Sequence, residues 1–152
     1  MPACVARILI VDDERAIRTT IDLLLKRAGY QVAAAADGRE GLKKIEVERF
    51  DLLIVDIFMP GMDGLETIQK VHQLKPSLPI VVMSGMVFRS ASSPPPDFLT
   101  MATKLGAVKS LRKPFRPHEL LAVVADSLNI SSNAAATTIP QQVALRNVKD
   151  DA

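Results

Sequence analysis

The chain has 152 residues, of which 48% are apolar and 24% charged, with a net charge of +2. That balance belongs to one globular domain. It excludes a chain disordered throughout or a fibrous one, and leaves no material for a second large core. The weak positive charge, a single tyrosine and the lack of tryptophan argue against a nucleic-acid surface or a base-stacking platform. Apolar runs such as 8–11 and 52–55 are far too short for a membrane span. The start, Met1-Pro2-Ala3-Cys4, lacks the basic segment and long apolar stretch of a secretory signal, and one cysteine cannot form an internal disulfide. A cytoplasmic protein in a reducing compartment is expected.

Short apolar runs alternate with amphipathic stretches along the chain. Residues 7–11 (RILIV) read as a buried strand. Residues 14–28 place Ile17, Ile21, Leu24, Leu25 and Ala28 at helical spacing, and Gly29 then ends that helix. A second strand is expected at 30–35, a turn at Asp37-Gly38, and a second helix at 39–48 with Leu42, Ile45 and Val47 on or near its apolar side. Residues 51–55 (DLLIV) read as a third strand, 59–64 (MPGMDG) as a loop, and 65–74 as a third helix stopped by Pro76. A fourth strand at 79–83 (PIVVM) precedes a Ser/Pro-rich loop at 90–96 and a fourth helix at 97–105, closed by Gly106. A fifth strand follows at 107–111, then a fifth helix at 117–128 with Pro117 in its first turn.

Five strands alternating with five helices imply a doubly wound α/β domain, a five-stranded parallel sheet covered on both faces. From about residue 130 the pattern stops. Residues 131–152, rich in Ser, Asn, Ala and Thr, are expected to be a flexible tail with only a short helical stretch near 141–148, so the domain is expected to span 1–130.

Ligands of open α/β sheets bind outside the carboxyl ends of the strands. Asp12, Asp13 and Glu14 follow the first strand, Asp56 the third, Ser84 the fourth, and Lys113 the fifth. Each has an ordinary explanation alone. Acidic residues favour helix starts, Asp56 can be a turn residue, Ser84 a strand-end hydroxyl, and Lys113 a solvated lysine. Together they put carboxylates, a hydroxyl and an ammonium on one sheet edge, the groups needed for phosphoryl transfer to a carboxylate. Clustered carboxylates repel one another and need a cation, and oxygen-only ligands suit Mg²⁺. His72 and His118 have no partner at metal spacing and read as solvated. The methionines read as loop or core packing. The absence of G-x-G-x-x-G and of G-x-x-x-x-G-K-[ST] argues against a nucleotide-binding domain.

The segments ILIVDDE (8–14), DLLIVDIFMPGMDG (51–64), PIVVMSG (79–85) and KPF (113–115) resemble the receiver domain of two-component response regulators, over roughly residues 7–128. The resemblance implies a flavodoxin-like (βα)5 fold with strand order 2-1-3-4-5. It implies Asp56 as phosphoacceptor, with Mg²⁺ held by Asp13, Asp56 and the backbone carbonyl of Phe58, and by Asp12 mostly through water. It implies Lys113 as the contact to Asp56 and then to the phosphoryl group, Ser84 as the switch hydroxyl, and a cis Lys113-Pro114 peptide. The expected partners are a sensor histidine kinase or a histidine phosphotransfer protein, and an unknown downstream protein. Self-pairing through the fourth helix, fifth strand and fifth helix is a further mode open to such domains.

Three departures from the family pattern stand out. Ser110 occupies the place, three residues before the lysine, where the family often has an aromatic. The segment between Ser84 and Gly106 is longer than usual and holds Pro94–Pro96. The residues after 130 are too few for a helix-turn-helix with its own core, so output by protein binding or phosphorelay is expected. The alternative function is a phosphatase of the haloacid-dehalogenase type, which also forms an aspartyl phosphate. That family wants a second Asp two positions after the nucleophile, where this chain has Phe58.

Phe58 and Met86 also bear on the lifetime of the phosphorylated state. In receivers, polar side chains two positions after the phosphoacceptor and two after the switch hydroxyl help to orient the hydrolytic water. Phe58 and Met86 offer that water no hydrogen-bond partner. Loss of such a positioning group costs about one to three powers of ten in rate, so slow dephosphorylation is predicted. Phosphate loss after removal of the donor should accelerate at least several-fold in the Phe58→Asn, Met86→Glu double variant; an unchanged rate would overturn the argument.

Overall fold

A computed structural model describes residues 5–57, 59, 64–84, 104 and 107–136, with the backbone alone at 108 and 130–136. Strands β1 (Arg7–Val11), β2 (Gln31–Ala35), β3 (Leu52–Asp56), β4 (Ile80–Ser84) and β5 (Ala107–Arg112) form one sheet in the order β2-β1-β3-β4-β5. Every pairing in it is parallel. Helices α1 (Arg15–Arg27), α2 (Gly38–Val47), α3 (Gly64–Leu74) and α4 (Pro117–Ala136) complete the described elements. The expected α/β fold class and strand order are both present.

The strands are short apolar runs because both faces are covered, and the period of two along each strand divides the core in two. Ile8 and Ile10 of β1, Leu52 and Ile54 of β3, and Val81 and Met83 of β4 pack with Ile21 and Leu25 of α1 and Leu120 and Val124 of α4. Leu9, Val11, Leu53, Val55, Ile80 and Val82 face the other way, with Ile45 of α2 and Ile68 and Val71 of α3. Every one of these side chains is essentially removed from water.

Helix α1 ends as its glycine predicts. Gly29 has φ +99°, which an L side chain rarely adopts, and its N–H donates to the Lys26 carbonyl while the N–H of Tyr30 reaches back to Leu25. These two bonds satisfy the last carbonyls of the helix in a Schellman arrangement. At the start of α2, the Asp37 side chain accepts from the N–H of Glu40 at 2.9 Å, an N-cap of the usual kind.

Four expectations need correction. Asp56 and Ser84 are the last residues of β3 and β4 and do not follow them, a shift of one residue that still leaves both at the sheet edge. Val47 is 80% exposed. The buried positions of α2 are Gly38, Gly41 and Ile45, and two residues beyond Ile45 a helix has turned about 200°, so Val47 emerges on the solvent side. The last helix runs to Ala136, not Leu128. Residues 131–136 contain no Gly or Pro and end in three alanines, which continue a helix at little cost. The fourth helix expected at 97–105 and the 90–96 loop lie outside the described residues, except that Lys104 is helical.

Gly64 opens α3 directly against the end of β3. A Cβ there would collide with the Asp56 carbonyl oxygen and the Ile57 backbone, and backbone cannot rotate out of the way. Gly64→Ala should therefore destabilise the domain by about 1–3 kcal/mol. A urea midpoint equal to that of the wild type would disprove the close approach.

Candidate functional site

The register of the sheet builds the site. Val11 of β1 pairs with Val55 of β3, so the next residues, Asp12 and Asp56, end neighbouring strands side by side. By the period of two, both continue the rows Ile8–Ile10 and Leu52–Ile54. Asp12 is fully buried and Asp56 nearly so, while Asp13 is exposed. Ligand atoms of Asp12, Asp13 and Asp56 all lie within 4.8 Å of one another. At that separation Asp12 and Asp56 repel by about 3 kcal/mol or more for an effective dielectric of about 20.

Lys113 meets this repulsion. Its Nζ donates to Asp12 Oδ2 at 2.8 Å and to Asp56 Oδ2 at 3.0 Å, with Glu14 Oε1 further off at 3.7 Å. The lysine is itself buried. Its N–H donates to the Ser84 carbonyl at 2.8 Å, which ties its backbone to the end of β4. The Lys113-Pro114 peptide is cis, as expected. Burial pulls the Lys113 pKa down, but the hydrogen bonds to Asp12 and Asp56 and the charges of both outweigh it, and the net shift is upward.

Further contacts hold the acidic turn. Asp12 Oδ1 accepts from the Glu14 N–H at 2.8 Å, and Arg18 Nη1 donates to the Asp12 carbonyl at 2.7 Å. Sequence reasoning missed Arg18. The only available signal is its place one helical turn after Glu14, facing back over the start of α1. Three carboxylates against one ammonium leave a surplus of two negative charges. All the donors are hard oxygens and one carboxylate is open to solvent, a set that fits a small divalent cation such as Mg²⁺. Among the predicted site residues the structure thus gathers Asp12, Asp13, Asp56 and Lys113. Ser84 stands buried at the end of the adjoining strand. Phe58 and Met86 lie outside the described residues.

The chain matches the response regulator receiver domain family over residues 8–125. It belongs to that family. It is 37% identical over 132 residues to the alkaline phosphatase synthesis transcriptional regulatory protein PhoP of Bacillus subtilis, covering 87% of this chain and 52% of that one, so it spans about half the length of this relative. It is 31% identical over 127 residues to sporulation initiation phosphotransferase F of B. subtilis, covering 84% of this chain and 97% of that protein. Among solved structures, the CheY-like response regulator receiver domain protein of Methanospirillum hungatei superposes with a TM-score of 0.77 at 33% identity, covering 85% of this chain and 98% of that one. Receivers are signalling domains of two-component systems, and the acidic pocket of this one sits at the carboxyl edge of the sheet. No helix among the described residues is long and apolar enough to cross a membrane.

The raised pKa of Lys113 has a definite sign in stability. A cation favoured by the fold contributes fully below its unfolded pKa, about 10.4, and that contribution is lost as pH rises through the higher folded value. Lys113→Met should cost about 1–3 kcal/mol at pH 7 in metal-free buffer, because two buried carboxylates lose their counter-charge. The difference from wild type should shrink as pH rises past the ordinary lysine range, and added Mg²⁺ should restore part of the loss. Equal stability of the two proteins at pH 7 without metal would contradict this account.

Proposed function

We propose that this receiver accepts a phosphoryl group on Asp56 from the phosphohistidine of a sensor histidine kinase or a histidine phosphotransfer protein, in a Mg²⁺-dependent reaction. The observation that carries the proposal is the convergence of Asp12, Asp13, Asp56 and Lys113 at one sheet edge, with Lys113 bonded to Asp56. In the reaction an oxygen of Asp56 attacks phosphorus. The P–O bond forms as the P–N bond breaks, and the bonding pair returns to the imidazole, which takes up a proton as it leaves.

The chain's own groups have distinct parts. Asp56, at the end of the central strand β3, is held between the acidic pair and the lysine. Once its oxygen is esterified it loses its negative charge, and the Lys113 ammonium transfers its hydrogen bond to a phosphoryl oxygen. The Ser84 hydroxyl, on the adjacent strand, donates to another. Asp13, Asp56 and the carbonyl of Phe58, with Asp12 mostly through water, would hold Mg²⁺, which would supply charge neutralisation to the phosphoryl oxygens. Repeated turnover of phosphate esters is not part of this reading, because Phe58 stands where dehalogenase-type phosphatases carry a second Asp.

Output in this reading runs through protein contact or onward phosphoryl transfer in the cytoplasm, with no nucleic-acid contact by the receiver itself. Its net charge of +2 is too small to supply a phosphate-binding footprint. One relative, matched over 97% of its own length, is by name a phosphotransferase.

Asp56→Asn should abolish acid-labile phosphate incorporation from a small acyl phosphate donor, and incorporation at the wild-type level would sink the assignment. Asp13→Asn should weaken Mg²⁺ binding by about tenfold or more, through the loss of one formal charge from the ligand set, as read by titration calorimetry. Unchanged affinity would remove Asp13 from that set.

A further inference from the structure

The exposed member of the acidic cluster is the one held least. Asp12 is fixed at both carboxylate oxygens, Oδ1 by the Glu14 N–H and Oδ2 by Lys113, and Asp56 is fixed by Lys113. Asp13 is exposed, and no other described residue meets its carboxylate with a hydrogen bond or an ion pair. A carboxylate oxygen of Asp13 nevertheless lies within 4.8 Å of those of Asp12 and Asp56. The aim of Asp13 is therefore set by the backbone that carries it.

Arg18 holds that backbone. Its Nη1 donates to the Asp12 carbonyl at 2.7 Å. That carbonyl lies in the peptide plane joining Asp12 to Asp13. Fixing the oxygen fixes the plane, and the Cα of Asp13 lies in it. The helix does not do this by itself. Its first backbone bond runs from the Arg18 N–H to the Glu14 carbonyl at 3.1 Å, two residues past Asp12. Glu14, at the N-cap, makes no side-chain capping bond either. Arg18 is only the fourth residue of α1, and a cation so near a helix start opposes the macrodipole. Helix stability does not explain an arginine there; the acidic turn it clasps does.

We infer, on the reading that this site takes Mg²⁺, that Arg18 is a positioning residue for the metal. It acts through the Asp12–Asp13 peptide, whose plane it holds so that the Asp13 carboxylate meets the ion. Its charge works the other way. A guanidinium beside a cation site repels the cation, so by charge alone its removal would tighten Mg²⁺ binding. Position and charge thus predict opposite signs, and the sign of the change separates them.

The test is titration calorimetry of the full chain with Mg²⁺ alone. Arg18→Met should weaken binding about tenfold or more, the usual cost of losing a group that orients a metal ligand. Arg18→Lys keeps the charge and a donor on a shorter stem, so it should recover part of the loss. In an Asp13→Asn background, Arg18→Met should cost little more, because the ligand it serves is already impaired. Mn²⁺ takes the same oxygen ligands. Water-proton relaxation should therefore show more water on Mn²⁺ bound to Arg18→Met than to wild type, an effect that a general loss of stability would not produce. Arg18 is half-buried, so the variants should keep their fold, as far-ultraviolet circular dichroism will show; Arg18→Gln completes the same cycle if Arg18→Met does not fold. Unchanged or tighter Mg²⁺ binding by the folded variant would overturn the inference. So would a loss that adds in full to that of Asp13→Asn, or unchanged hydration of the bound Mn²⁺. In each of these cases binding by the wild type leaves the Mg²⁺ reading standing, whereas a wild type that binds no Mg²⁺ would overturn both.

Discussion

The Lys113 ammonium, shared between Asp12 and Asp56, is the interaction on which the functional edge depends. Two buried carboxylates ending adjacent strands are unstable neighbours. The sheet tolerates them because Lys113, the residue after β5, reaches across β4 to bond both, at 2.8 and 3.0 Å. That reach needs the observed strand order, with β1 and β3 adjacent and β4 and β5 beyond β3. It also needs the backbone bond from Lys113 to the end of β4, which fixes how far the lysine stem extends. Topology and electrostatics are therefore one constraint: a different order would strand the charges.

Concentrating charge this way opposes stability, and the rest of the domain compensates. Both faces of the sheet are filled with aliphatic side chains fully removed from water, and each such side chain contributes roughly 1.5–3 kcal/mol on burial. The excess negative charge at this otherwise well-packed sheet end makes a set that a small divalent cation fits. Arg18 and the Glu14 N–H hold the Asp12 turn in place, so the site is largely organised before any ligand arrives, and little ordering remains to oppose binding.

Much of this was legible in the sequence, for reasons that can be named. Strands buried on both faces must be apolar throughout, and so RILIV, LLIV and IVVM stand out. Charged residues directly after such runs stand out from the core pattern, which exposed Asp12 and Asp56 as site candidates. Val47 was misjudged because position near an apolar row is not position on it; two residues past Ile45 is the far side of a helix. The end of the last helix was misjudged because Ser131, Ser132 and Asn133 resemble a tail by composition, although nothing in them breaks a helix. Arg18 was invisible because its contact is with a backbone carbonyl, and no pattern of side-chain types reports that.

The same parallel packing that gathers function at one edge leaves the other chemically blank. Strands β1 and β3 end at the acidic cluster, with the end of β4 and the residue after β5 beside it. A change at the upper edge can therefore occur while the sheet itself stays fixed. The Lys113 ammonium makes one hydrogen bond to each of Asp12 and Asp56. In the proposed reaction, moving the bond on Asp56 to a phosphoryl oxygen would exchange one charge-assisted bond for another of similar strength. The gain and loss nearly cancel, so the switch needs no large reserve of free energy. What would change in that reading is position: the donor that neutralised Asp56 would be committed to its new ligand, and Asp12 would keep the other bond. A near-balanced exchange of partners, set in a rigid parallel sheet, suits a domain whose task is to report one covalent event without unfolding.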